Sequence, residues 1–268
     1  MSLSSILFLF LTHLGIGIAL VLVWVGREAG VKYFRFSAGT AALLIAIGFT
    51  LRPEVPEPGT RHLASVVLLL VADGALVIYW ATIGRILAKI RQPLLWTAIA
   101  CGLTSVSLQA LEISANAPGL MPLLTVASFL SSVALLGGAC GAMVLGHWYL
   151  VVPSLNVSHL QSIVKLHIVS LVLRAVVVLA AVTIAIFTWQ PGMGPNFQRY
   201  ILSAGGIFFW QRILFGLAVP AVLAYLTWET AKIQSTQSAT GILYVDFFAV
   251  IVGEVLAKYL LLSTNIPI

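Results

Sequence analysis

Chemistry-bearing side chains concentrate in one stretch, Gly146 to Arg174, which reads GHWYLVVPSLNVSHLQSIVKLHIVSLVLR. It holds three of the five histidines, His147, His159 and His167, together with Trp148, Tyr149, Lys165 and Arg174. A histidine near neutral pKa donates and exchanges a proton. A quinone head group asks for a donor to each carbonyl, a flat or apolar wall and a proton source near water. His147 and His167 suit the donors, Trp148 and Tyr149 the walls, and Lys165 or Asp246 a relay to the aqueous phase. Two facing imidazoles also suit a b-type haem iron, with Lys165 near its propionates. Trp148 and Tyr149 equally suit an ordinary interface belt, where such side chains are enriched. His62 and His159, beside loops, read as solvated interfacial residues.

The elements that must position these groups are apolar. Of 268 residues, 60% are hydrophobic and 8% charged, whereas a soluble domain is about 25% charged. Mean hydropathy is +1.08, and runs of about 20 apolar residues span a bilayer. The chain therefore reads as one all-α transmembrane domain, residues 1–268, without room for a soluble catalytic domain. The net charge of +6 sits at the ends of apolar runs, as topology signals do, and points away from nucleic acid. Cys101 and Cys140 lie inside apolar runs without metal-ligand spacing and read as packing residues.

Eight spans are expected. They are Leu3–Val25, Phe36–Leu51, one from His62 through Asp73 that continues as GRILAKIRQ, Pro93–Glu112, Leu123–Leu150, Ser158–Trp189, Tyr200–Thr230 and Ile242–Ser263. The first ends at WVGREAG instead of a cleavage site and reads as a retained span. Pro93 suits a first helical turn, Ser158 an N-cap and Pro220 a kink. Prolines 53, 56 and 58 make the second loop irregular. Odd-numbered loops carry Arg27, Lys32, Arg35, Arg85, Lys89, Arg91, Lys165 and Lys232, against Arg52, Arg61 and Arg199 in the even ones. The positive-inside rule then puts both termini on the outer, periplasmic side of a bacterial inner membrane, and the Gly146–Arg174 bend at the cytoplasmic face. The sequon Asn156-Val157-Ser158 falls on that cytoplasmic side. No internal repeat is evident, which weakens an inverted-repeat fold.

On this topology His13, Asp73, Arg174, Arg212 and Glu254 fall near mid-membrane, while His147, Lys165, His167 and Asp246 lie toward the cytoplasm. A charge at the bilayer centre costs at least about 2.5 kcal/mol, so these groups should face inward and pair. Either they form structural ion pairs or they line a proton or ion path. Glu254 and Lys258, four apart on one helix face, can satisfy each other locally. No hydrolase, Walker or dinucleotide motif occurs in a suitable context.

The eight apolar spans, outer termini, the early THLGIG and the final GEVLAKYLL together resemble the membrane-anchor subunits of the dimethyl-sulfoxide reductase and polysulfide reductase type. The resemblance implies a subunit that passes electrons between quinol and an iron–sulfur or cytochrome partner. By motif it carries over only Glu254 and Lys258, as core elements near a quinone or proton route. Lys258 stands where that family is expected to have arginine, and GHWYLVVPSL is not among its motifs. The expected function is a quinone-interacting membrane subunit of a respiratory or photosynthetic complex, using menaquinone or ubiquinone, with haem b as a further cofactor. The rival expectations are a proton-coupled transporter and a structural membrane subunit.

Overall fold

The computed structural model describes residues 2–54, 57–84, 88–152, 155–188 and 196–268. Among these residues there are helices, turns and connections but no strand. The helices are α1 (Leu3–Val21), α2 (Gly30–Thr50), α3 (Thr60–Thr82), α4 (Ala88–Ile113), α5 (Met121–Val151), α6 (Val157–Phe187), α7 (Phe197–Ile201), α8 (Ile207–Ile213), α9 (Val219–Lys232) and α10 (Thr236–Thr264). A π-helical turn, Leu214–Ala218, joins α8 to α9. Among the described residues, seven helical segments are long and apolar enough to cross a membrane. At 29 residues α10 is also long enough, but it carries Asp246, Glu254 and Lys258 along its middle. The protein is a multi-pass helical membrane bundle.

Several boundaries differ from the hydropathy reading, because polar first turns are helical here and short breaks part some of the apolar runs. α1 stops at Val21, and a short 3-10 turn, Arg27–Ala29, precedes α2. Lys32 and Arg35 therefore belong to α2, which is a full-length helix instead of the short Phe36–Leu51 span. The third helix does not run on through GRILAKIRQ. It ends at Thr82, and Gly84 takes a left-handed φ of 79° that a side chain would strain. Lys89 and Arg91 start α4, so Pro93 lies inside that helix and not in its first turn. α6 is capped by Asn156, whose side chain accepts from the Ser158 N–H at 2.9 Å; Ser158 is the second helical residue. The seventh crossing begins at Ile207, not Tyr200, because 3-10 residues Ala204–Gly206 part it from α7. Pro220 falls in the first turn of α9, after the π turn. Arg85, Pro56 and Trp189, used above for orientation and boundaries, lie outside the described residues.

α1 and α5 form the axis of the bundle and run in the same direction. His13 meets Ser132, Gly17 meets Gly137, and Gly141 faces Val21. At Gly17 and Gly137 the backbones touch: a Cβ on Gly137 would lie 2.7 Å from Gly17 Cα. Small residues permit this approach in lipid, where packing and hydrogen bonds drive helix association. α2 packs antiparallel to α1, and α10 antiparallel to α5, where Thr240 Oγ1 donates to the Gly146 carbonyl at 2.9 Å. α3 pairs with α4 through Ser105 Oγ to the Ser65 carbonyl, 2.7 Å, and Arg91 Nε to the Thr82 carbonyl, 3.1 Å. α6 turns Val169, Val172, Val176 and Leu179 outward. Leu63, Val67 and Leu70 do the same on α3. These are the stripes a lipid-facing surface requires.

Candidate functional site

The centre of the bundle is built on Glu254 of α10, which is fully buried. Its Oε1 accepts from Arg174 Nε and from Arg212 Nη2, each at 2.9 Å. Its Oε2 accepts from Ser132 Oγ at 2.5 Å, Lys258 Nζ at 2.8 Å and Arg174 Nη2 at 3.3 Å. The Arg174 fork thus holds the carboxylate bidentately, the geometry that gives such pairs strength and direction. Its third nitrogen, Nη1, donates to Ser128 through both the carbonyl (3.0 Å) and the hydroxyl (2.6 Å). Nη2 also reaches the Ile268 main-chain oxygen at 3.2 Å. One carboxylate therefore serves three cationic side chains from α6, α8 and α10.

Arg212 is less well satisfied. Its Nε and Nη1 have no acceptor among the described residues although the residue is fully buried. Its guanidinium slips beside Gly216 of the π turn and Gly253 of α10, where a Cβ on Gly216 would collide with Nη1. π turns insert one residue into the helical register and occur often at functional sites.

Ser132 extends the network to α1. Its single hydroxyl proton goes to Glu254, and Lys258 donates to its oxygen. The remaining contact, His13 Nδ1 at 3.2 Å, therefore requires the proton on Nδ1. That leaves His13 Nε2 as a buried acceptor without a partner among the described residues. The His13 ring stands edge-on to Phe129, with centroids 4.7 Å apart.

A second buried centre lies about 12 Å toward the other end of α10, eight residues from Glu254 at 1.5 Å each. Here His167 Nε2 approaches Asp246 Oδ2 to 2.8 Å, with both side chains fully buried. The two atoms are close but out of line for a hydrogen bond, so neither counts as satisfied by one. Gly138 of α5 faces this pair; a Cβ there would lie 3.5 Å from His167 Nδ1.

The third group closes the same end of the bundle. His147 Nδ1 shares a hydrogen bond of 2.8 Å with Tyr244 of α10. Tyr244 and Tyr149 line a recess of about 590 Å³ with Thr236, Gln237 and Thr240. The Tyr149 hydroxyl donates to the Asn156 carbonyl and accepts from the Leu160 N–H, tying the α5–α6 bend. His147 and His167 do not share a depth. His167 stands opposite Gly138, nine residues or about 13 Å from His147. Two imidazoles so separated do not fit as axial ligands of one haem iron.

The other expected residues have separate roles. Trp148 Nε1 donates to the Ala29 carbonyl at 2.9 Å, and its ring meets Tyr33 edge-on. Lys165 is exposed and lies over the Trp228 ring at 5.2 Å. Asp73 takes no part in the central pairing, because α3 packs chiefly on α4 and α2; its Oδ1 is buried without a partner among the described residues. His62 is not a solvated loop residue: Nδ1 meets both Glu112 oxygens, at 2.9 and 3.2 Å. His159 is bonded to Glu28 at 2.7 Å. Sequence reasoning missed Ser128, Ser132 and Tyr244. The adjacent Ser131-Ser132 pair in an otherwise apolar run was the available signal for the first two.

No cluster of three or more His, Cys, Asp or Glu suited to a metal ion occurs among the described residues. The resemblance to reductase anchor subunits rests on the residues quoted for it alone. The chain matches no family model, no curated protein and no solved structure.

Proposed function

We propose that the chain is a quinone-interacting integral membrane subunit of an electron-transfer complex. The observation that carries this reading is the recess at the α5–α10 end, where the Tyr244 hydroxyl is backed by His147. Gln237 stands on the same face of α10, seven residues or about 10 Å from Tyr244. Tyr244 and Gln237 offer a donor to each side of a quinone head group, and His147 supplies an exchangeable proton behind the tyrosine. Deeper in the bundle, His167 with Asp246 and His13 with the Glu254 network provide buried groups able to hold protons, as intramembrane ionisable groups commonly do.

In this reading α10 is the eighth crossing. Its three charged residues all point inward, with Asp246 and Glu254 fully buried and Lys258 2% exposed, so lipid meets only its apolar side. Both termini then lie on the outer side of a bacterial inner membrane. Electrons enter from iron–sulfur or cytochrome partner subunits, and menaquinone or ubiquinone is the carrier.

The test is quinol-dependent reduction by the chain purified with its native partners. Tyr244→Phe and His147→Ala should each lower the rate by about a hundredfold or more, the usual scale for a lost proton-transfer group, with assembly unchanged. Normal rates in both variants sink the site.

A second reading, a proton-coupled transporter, is favoured by the π turn beside Arg212, since broken helices near charged side chains mark many transporter sites. The same purification separates the two. Retained quinone and a redox neighbour support the subunit, whereas a lone chain that couples proton and solute uptake in proteoliposomes supports the transporter.

A further inference from the structure

The charged side chains along the core of the bundle are met by this chain's own residues. Arg174, Arg212, Glu254 and Lys258 share one network, and Asp246 lies against His167. None of the five is more than 2% exposed. Asp73 breaks the pattern. It stands thirteen residues after the start of α3 and nine before its end, at a depth where ionisable groups are costly and face inward to pair. Among the described residues no hydrogen bond or ion pair engages its carboxyl. Oδ1 is enclosed, but the residue as a whole is only half-buried, and Oδ2 is the oxygen left open.

Asp73 opens onto a face of the molecule. Leu70 and Val77, three residues before it and four after, share its side of α3 and are 50% and 46% exposed. Trp80, seven residues on, lies on α2, where a Cβ on Gly39 would be 2.9 Å from its Nε1. The carboxyl therefore stands at the lipid side of the seam between α2 and α3. Gly74 beside it is exposed, and a Cβ there meets nothing within 4 Å. A small residue on an open face lets another helix approach closely in lipid. The face lacks only a donor. A carboxylate can do nothing but accept, and lipid tails and the exposed Leu43 and Ile47 of α2 have no proton to give. A symmetric second copy would set Asp73 against Asp73, like charge on like. A basic side chain on a different helix satisfies both the charge and the open face.

We propose that the α2–α3 face around Asp73 and Gly74 docks a transmembrane helix of another protein, whose Lys or Arg pairs with the Asp73 carboxylate. The docking face does not rest on the quinone reading, since a transporter or a structural subunit would present it equally.

The test places the full chain in lipid vesicles with either of two synthetic Leu/Ala helices of about 20 residues, one with a central Lys and one with Leu in its place. Association is read by fluorescence energy transfer. The Lys helix should bind about tenfold more tightly, the scale of one good polar contact between helices in lipid. Asp73→Asn, which keeps the shape and removes the charge, should erase that preference. Gly74→Leu, which keeps the carboxylate and blocks the approach, should weaken the Lys helix by a similar factor. Equal affinities in the wild type, a preference that survives Asp73→Asn, or binding untouched by Gly74→Leu would each overturn the proposal. In native membranes Asp73 should resist dicyclohexylcarbodiimide, a lipid-soluble reagent for carboxyl groups, and should react in the chain purified alone, as read by mass spectrometry of its peptide. Equal reactivity in the two states would overturn the proposal, and so would a dimer of the chain alone that Asp73→Asn dissociates, which would assign the face to a second copy. None of these measurements uses quinol turnover, so failure here and failure at Tyr244 and His147 are read separately.

Discussion

Glu254 is the one residue whose loss leaves three cations without their carboxylate. Removing one partner from a buried ion pair costs about 3–5 kcal/mol, because the remaining charge stays desolvated. Glu254→Gln should therefore lower the thermal midpoint in detergent sharply. Glu254→Gln combined with Arg212→Leu should recover part of the loss, since the double variant buries one cation fewer. A double variant no more stable than the single one would show that Arg212 is not held by Glu254. Mid-depth charges were visible in the sequence, and inward pairing followed from their cost in lipid. Which acid met which cation was not visible. Arg212 reaches Glu254 from α8, lying beside Gly216 of the π turn, and Asp73 stands apart because α3 packs chiefly on α4 and α2. The His62–Glu112 pair joins residues 50 apart on facing helix ends, a contact that depends on how α3 and α4 align.

Among the elements, the α1–α5 contact has the least tolerance. A Cβ on Gly17 would lie 2.8 Å from the Gly137 nitrogen, against backbone that has no rotamer to yield. Overpacking usually costs about 1–3 kcal/mol, and here relief means parting the helices and opening the His13–Ser132 contact. Gly17→Leu should lower the thermal midpoint clearly. Gly74→Leu should leave it nearly unchanged, because a Cβ at Gly74 meets nothing within 4 Å. Equal effects from the two would refute the account of that crossing. Helix identity was legible from apolar runs, but helix starts were not. Turns such as Gly30–Arg35 and Ala88–Gln92 are polar yet helical, as the ends of helices longer than the hydrocarbon core are bound to be.

For the whole molecule, the proposed orientation rests on the charge of the connections and on the proposal that α10 is a full crossing. Ser2→Cys and Ser263→Cys should react with a membrane-impermeant maleimide on intact cells freed of their outer membrane. Gln234→Cys, in the connection before α10, should react only after permeabilisation. The reverse pattern would invert the topology, and reaction of Gln234→Cys and Ser263→Cys from one side would mean that α10 does not cross. The apolar faces of α3 and α6 suit a lipid surrounding, whereas sidedness is a property of the Lys and Arg tally.

The His13–Ser132 contact also has a history during synthesis. Ser132 follows His13 by 119 residues, which at ~5–20 residues per second is about 6 to 24 s of translation. For that interval the first helix carries an imidazole whose serine partner has not been made. Arg174 then waits 80 residues and Arg212 waits 42 before Glu254 is made. The innermost part of the bundle is thus the last to be completed, and a ribosome halted just before Glu254 leaves the Arg174 guanidinium made 80 residues ahead of its carboxylate.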